Sequence, residues 1–394
     1  MSLITGVGFS TNRNPQQAGM EAAQNALADA GIETPDFVFL FATVGYKQEP
    51  VLHAVLEATG NAPLSGCSGE GIIFSGEVHE TNFGVLVTVV KSDEISFTNA
   101  YAVGMSENAE AMGKEIADQL QHHKADDAVS LLVFGDGLTL NFDGMMRGLM
   151  YQCSSLDAIP VMGGTASDDW SFSATYQYYN DKVFKDGAVA TLICGEAEMY
   201  NASRHGCVPI GEELTVTKSV ENRILEIDGR SALEVIDEYL TTEEKEGEWS
   251  ATNVYLAIGV RAPEFMEKYD DYLIRFMPMR DQEAVYVPAE IAEGTKFYMT
   301  RRDHEKIAAG NQRLAEQMQQ GLKGRVPRFM LQIECIGRGK VIFEDSEKQQ
   351  LLKDMQQAVC PDAKWFGLYT YGEFGPVGGV NSFHNYSLVL TAIM

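Results

Sequence analysis

Trp365-Phe-Gly-Leu-Tyr-Thr-Tyr-Gly-Glu-Phe-Gly375 and Asn381-Ser-Phe-His-Asn-Tyr-Ser-Leu-Val-Leu-Thr-Ala-Ile393 join a glycine-bounded polar loop to an apolar strand. Glycines at 367, 372 and 375 flank Tyr369, Tyr371 and Glu373, where the backbone can approach a ligand closely. Ser387 to Ile393 is nearly all apolar, the pattern of a strand buried on both faces. Two earlier stretches repeat the arrangement. Their loops are Gly66-Cys-Ser-Gly-Glu-Gly71 and Gly163-Gly-Thr-Ala-Ser-Asp168, and their closing strands are Val85-Leu-Val-Thr-Val89 and Val189-Ala-Thr-Leu-Ile193. Each is preceded by a strand and a helix. The expected fold is therefore α/β, a two-part chain with mixed sheets and covering helices, built from a repeated strand-helix-strand-loop-strand unit.

Working outward, Leu3 to Phe9 reads as a strand. Asn14-Pro15 opens a helix whose Ala18, Ala22, Ala26 and Ala30 share one face, and Gly31 ends it. The three units start at Phe37, Val129 and Arg328, and a helix from Ser106 to His122 precedes the second. After Tyr200 the pattern changes. Leu214 to Ile227 alternates as strands do, Ser231 with Glu234 reads as a capping box, and acidic Thr241 to Ser250 reads as an exposed loop.

Composition excludes several classes. With 394 residues the chain can bury a large core, and 45% apolar with 22% charged residues is ordinary for a globular protein. Its 30 Lys and Arg against 56 Asp and Glu give a formal charge of -26, a field that repels phosphate backbones and anionic lipid. Neither nucleic acid nor membrane is an expected partner, and Arg301-Arg302 is the one adjacent basic pair that opens a helix. No apolar run is long enough to span a membrane and no signal core stands at the start, so the expected location is the cytoplasm. The six cysteines are scattered, with no Cys-x-x-Cys, and read as free thiols.

These motifs together resemble the two-part FIST sensory domain. The resemblance rests on Gly66-Cys-Ser-Gly-Glu70, Gly163-Gly-Thr-Ala-Ser-Asp168, His205-Gly-Cys-Val-Pro209 with Val216-Thr217, and Glu226-Ile-Asp-Gly229 with Ala232-Leu-Glu-Val235. It continues with Glu334-Cys-Ile-Gly-Arg338, Tyr369-Thr-Tyr-Gly-Glu373 and Phe383-His-Asn385, so it covers essentially the whole chain. It implies a FIST N-terminal domain over 1–200 and a FIST C-terminal domain over 201–394. It also implies a sensor of small intracellular ligands, amino acids among them, acting through a separate signalling partner such as a histidine kinase. Some stand-alone members resemble haem-binding nitric oxide sensors, which makes haem the alternative to a chain without cofactor, with His205 or His384 as axial ligand.

The residues themselves favour binding over catalysis. Glu70 occupies the final glycine position of a Gly-x-Ser-x-Gly elbow, and no phosphate-cradling or dinucleotide glycine loop is present. Cys67 as a nucleophile with His205 or His384 as base, in a hydrolase or transferase, remains an alternative, as does a scaffold without ligand. His384 and Cys335 each have a plain structural reading beside any role in ligation. The expected ligand-binding set is Ser68, Glu70, Thr165, Asp168, Arg338, Tyr371, Glu373 and His384. In it Arg338 would fork onto a carboxylate, and Glu70 or Glu373 would meet an ammonium. The ordinary alternative for Arg338 is a salt bridge to a neighbouring acid.

Overall fold

The structure is a computed structural model that describes residues 3–120, 127–151, 159–261 and 272–394. Cys153 and the last turn of the helix expected to reach His122 lie outside these residues. Three six-stranded mixed sheets and a seven-stranded antiparallel one account for the strands. The first sheet runs in the order Leu3–Ser10, Val85–Ser92, Phe37–Ala42, Leu64–Ser68, Gln177–Tyr179, Lys182–Phe184. The second runs Ile95–Val103, Gly187–Gly195, Ala128–Gly135, Val161–Thr165, Glu373–Val377, Val380–His384. The third runs Met199–His205, Ser387–Ile393, Phe329–Cys335, Trp365–Thr370, Ile72–Phe74, Glu77–His79.

The last two strands of each sheet are a hairpin that belongs, in sequence, to another unit. The hairpin after Gly71 joins the third sheet, the one after Thr175 joins the first, and Glu373–His384 joins the second. Two of these hairpins cross residue 200, so residues 1–200 and 201–394 share two sheets. The sequence pattern marks the hairpins as polar excursions but carries no sign of the exchange.

One face of each of the three sheets meets a common core containing Phe39, Phe41, Phe134, Met162, Leu331, Phe366 and Leu368. The opposite faces are covered by helices. Pro15–Ala30 and Gln48–Ala58 cover the first sheet, Met105–Leu120 and Phe142–Met150 the second, and His304–Leu322 and Asp345–Val359 the third. Pro15–Ala30 forms as its sequence implies, with the Asn14 side chain accepting from Gln17 N–H and Gly31 left-handed at the end.

The fourth sheet lies within residues 208–301 and carries its own core around Val216, Ile258, Phe297 and Met299. Two local expectations there are corrected. Ser231 caps Ala232–Asp237 without a side-chain hydrogen bond, whereas Thr241 and Glu244 form a full capping box on Thr242–Glu246, within the stretch expected to be loop. Trp249, whose Nε1 donates to Met277 O at 2.9 Å, anchors the next short helix, Trp249–Thr252. The signal was present, since Thr241 is followed three residues later by Glu244, but the acidic composition masked it.

The second strand of each unit runs parallel to the first and carries a glycine at one register position: Gly66 opposite Leu40, Gly163 opposite Val133, Gly367 opposite Gln332. A Cβ at Gly66 would lie 1.8 Å from Leu40 O, at Gly163 2.0 Å from Val133 O, and at Gly367 1.8 Å from Gln332 O. Side chains are excluded at all three. We expect Gly66→Ala to lower the unfolding free energy by more than about 3 kcal/mol. Gly60→Ala, also at positive φ but with open space around it, should lose only about 1 kcal/mol. Chemical denaturation of the two variants checks this; equal losses would mean that the parallel pair can open at Gly66.

Candidate functional site

The three glycine loops meet. Ser68 Oγ donates to Ser167 O at 2.8 Å, Ser167 Oγ donates to Tyr369 O at 2.7 Å, and Tyr369 N–H donates to Gly71 O at 3.0 Å. Thr165 N–H donates to Gly372 O at 2.8 Å. The expected site residues thus converge, but most spend their polar atoms on one another. Ser68 is fully buried and also accepts from Tyr176 N–H. Glu373 is fully buried, accepting from Thr370 Oγ1 at 3.0 Å and from Ser387 Oγ at 2.8 Å. His384 is buried, its Nε2 facing Gly375 O at 3.0 Å, a partner that fixes a proton on that nitrogen.

Arg338 is also fully buried, and its expected fork onto a ligand is replaced. Nε donates to Glu334 Oε1 at 3.0 Å, one turn back in its own motif, and Nη2 donates to Asn311 Oδ1. The same Glu334 oxygen accepts from Lys348, which burial pulls below its ordinary pKa. Burial works against ionisation of Glu334, yet Lys348 and Arg338 hold it below the usual carboxylate range. Glu70 lies nearby, buried and paired with Lys340, with burial the main cause raising its pKa. Burial and the Glu70 charge push Glu80 up to about 8. Glu80 and Lys348 face a polar cleft of about 450 Å³.

The other side of the junction is apolar. A cavity of about 320 Å³ is enclosed by Trp170, Phe172, Phe276, Tyr371, Tyr386 and the backbone around Gly337, with Ser250, Asn253 and Asn385 as its polar wall. A second cavity of about 310 Å³ adjoins it across Phe172 and Tyr371 and reaches Thr165. Tyr371 stacks on Phe172 with ring centres 4.9 Å apart and donates its hydroxyl to Asp168.

Three of the wall aromatics sit in the left-handed region: Trp170 at φ 70°, Phe172 at 50° and Tyr386 at 57°. Bulky residues adopt it only when the surroundings force them to. Asp168 pins the loop at Phe172, because its carboxylate accepts from Ser173 N–H at 2.7 Å, Phe172 N–H at 3.1 Å and Ala174 N–H at 3.1 Å. Burial works against its ionisation, but Tyr371 and these N–H groups outweigh it and keep Asp168 below the usual range.

Of the expected set, Tyr371 and Thr165 line these cavities and Asp168 shapes them. Trp170, Phe172, Phe276 and Tyr386 were missed, although Trp170 and Phe172 directly follow the Thr-Ala-Ser-Asp motif. Phe276 gave no signal, since its strand belongs to the uninterpreted segment. Cys67 lies fully buried in the common core, where burial pushes its thiol far up, so it offers no exposed nucleophile. Haem fits poorly through its expected histidines. His384 is held by Gly375, His205 Nδ1 accepts from Cys207 N–H at 3.1 Å, and neither lines a cavity described here. Among the described residues no group of acids, histidines and cysteines has the geometry to hold a metal. None of the described helices is long and apolar enough to cross a membrane.

The FIST N domain matches residues 36–230 and the FIST C domain residues 232–376. The chain belongs to the FIST family. FIST domains are small-ligand-sensing domains of signalling proteins. The junction of the two matches falls inside the fourth sheet, at Arg230–Ser231. Among relatives, an uncharacterized protein of Methanocaldococcus jannaschii is 25% identical over 75% of this chain, which spans 59% of that protein's length. An uncharacterized protein of Mycobacterium tuberculosis is 25% identical over 97% of both chains. Solved structures with a partial likeness include a chorismatase, at TM-score 0.36 and 9% identity over 100% of this chain and 99% of that one. A cyanuric acid hydrolase has TM-score 0.29 and 12% identity over 49% and 69%.

Burial is the chief cause pushing Glu373 up to about 8, against the hydrogen bonds from Ser387 and Thr370. Such a carboxyl keeps its proton in the folded chain after the unfolded chain has released its own. Stability therefore falls as pH rises from the ordinary carboxylate range towards 8, by up to on the order of 1.4 kcal/mol per pH unit from this group. Melting curves across that window should show a shallower decline for Glu373→Gln than for the parent chain. Parallel declines would mean that Glu373 is ionised when folded.

Proposed function

We propose that this FIST chain is a sensor whose ligand is a small molecule with an apolar body, bound in the aromatic cavity beside Tyr371. The observation that carries this reading is the left-handed backbone at Trp170, Phe172 and Tyr386, all three on one cavity wall. Strain of this kind is of order 1–3 kcal/mol per residue and persists where the surroundings over-determine it, typically at ligand clamps. Size and lining agree, since ligand sites are mostly apolar with a few placed polar groups. The wall draws on the three-sheet core and, from the fourth-sheet part, on Ser250, Asn253, Val254, Phe276, Pro278 and Met279, so a bound molecule would bear on how the two pack. Output would pass to a separate protein, a histidine kinase being the partner that the family resemblance implies. A binding rather than catalytic role is supported by the burial of Cys67.

A second reading keeps the amino acid. The polar cleft presents Glu80 and Lys348 together, and an ammonium beside Glu80 would favour its ionised form, while Lys348, already paired with Glu334, would face the carboxylate. Haem is the less favoured cofactor, for the reasons of histidine geometry given above.

A thermal-shift screen of small aromatic compounds beside the amino acids tests both readings. A ligand at 100 times its Kd stabilises by about 2.7 kcal/mol, so true binders raise the melting temperature with concentration. Phe172→Ala should weaken an aromatic ligand at least about tenfold and leave an amino acid in the polar cleft unaffected. Glu80→Gln should do the reverse. A ligand whose shift survives Phe172→Ala but not Glu80→Gln would move the site to the polar cleft.

A further inference from the structure

The adjacent basic pair Arg301-Arg302 divides its work. Arg301 forks onto Glu244, with Nη2 to Oε2 at 2.7 Å, and is partly exposed. Arg302 turns inward and is 3% exposed. Its Nε donates to Val254 O at 2.6 Å and its guanidinium lies over the Tyr386 ring, 3.6 Å from the centre. Among the described residues neither Nη1 nor Nη2 has a hydrogen-bond partner.

An arginine cannot shed its proton to escape this, and a buried cation lacking an anion is among the most unfavourable arrangements in a protein interior. Among the described residues no acid forms an ion pair with it. Cys335, which senses the Arg302 charge, is a buried thiol pushed far up and so neutral. Glu373 is already bonded to Thr370 and Ser387.

Of the residues that Arg302 meets, Val254, Gly337 and Tyr386 are walls of the aromatic cavity, while its backbone N–H donates to Tyr255 O at 3.2 Å. The guanidinium thus lies directly behind that wall. At Gly337 a Cβ would come 2.4 Å from the Tyr386 ring and 3.2 Å from Arg302 Nη2. No described residue lining the cavity carries a charge of its own.

We propose that the cavity selects a carboxylate with a flat apolar body and no ammonium group, its carboxylate reaching the two Nη groups of Arg302 by displacing the Tyr386 ring that covers them. This rests on the aromatic cavity being the ligand site. The body fills the space between Phe172, Tyr371 and Trp170, and Asn253 and Asn385 orient the polar end. A free amino acid is disfavoured there, because its ammonium would be desolvated without an acid to meet it.

The test compares three probes of each shape by titration calorimetry on the full chain. These are phenylacetate and indole-3-acetate, their neutral amides, and the zwitterions phenylalanine and tryptophan. The carboxylate is expected to bind about 30-fold tighter than its amide, as hydrogen bonds between charged groups imply. Arg302→Met should abolish that preference, and Arg302→Lys should restore part of it. The ligand-free Arg302→Met protein should melt no lower than the parent, since it loses a buried unpaired charge. Amides binding as tightly as carboxylates to the parent chain would overturn the anion inference while leaving the cavity as the site. Zwitterions binding tighter than carboxylates would overturn it too. Binding that survives both Arg302→Met and Phe172→Ala would place the ligand elsewhere and overturn the cavity reading itself.

Discussion

Three hairpins that leave their own units hold this protein together. A parallel strand pair joined through a helix has an open edge beyond its second strand, and an open edge is a template for wrong pairing. Here each such edge, at Leu64–Ser68, Val161–Thr165 and Trp365–Thr370, is occupied by the hairpin of another unit. The exchange lets each sheet turn one face to a shared core while helices cover the other. It also explains why the loops that launch the hairpins lie against one another. Ser68, Ser167 and Tyr369 stand where the chain leaves one sheet for the next, and their mutual hydrogen bonds hold the crossing point.

That crossing point separates two kinds of chemistry a few residues apart. On one side, Glu334, Arg338 and Lys348 form a buried network with Glu70 and Glu80 at its edge. Buried ion pairs of this kind add little net stability because desolvation offsets attraction, but removing one partner is strongly unfavourable. The network therefore fixes geometry more than it adds free energy. On the other side, Asp168 uses its carboxylate to hold Phe172 in a backbone conformation it would not choose. The strain there is sustained by a charge, which ties the shape of the apolar wall to an acid that stays ionised.

Much of the architecture was legible. The Asn14-Pro15 start, the Gly31 stop, the apolar closing strands and the glycine-bearing loops all rest on short-range chemistry, and short-range chemistry is what a sequence displays. The hairpin exchange was not legible, because Ile72–Phe74 pairs with Trp365–Thr370, nearly three hundred residues away in the chain, and nothing local records which edge it will find. The same limit governed the site. Tyr371, Asp168 and Thr165 were found through their loops, whereas Phe276 and Arg302 each directly follow a strand of the fourth sheet, whose segments carry no comparable motif. Arg338 was singled out for lying between two glycines, yet its partner Glu334 stood four residues earlier in the same motif. A helical turn at Ile336–Arg338 brings them together, and that turn was not read.

A sensor needs two arrangements whose balance a ligand can shift, and only differential affinity for the two can shift it. The fourth sheet has its own core around Val216, Ile258 and Phe297, so it can pack as a unit against the three-sheet core. The contact between the two includes Tyr386 Oη donating to Asn253 O at 2.6 Å and Asn385 Oδ1 accepting from Phe276 N–H at 3.1 Å. These contacts border an apolar cavity, beside a packed patch in which Ala257 and Ile274 meet Cys335, Leu352 and Tyr386. Filling that cavity adds buried apolar area to the joined arrangement and none to a separated one. The free energy of the ligand would then appear directly as a bias towards the joined state.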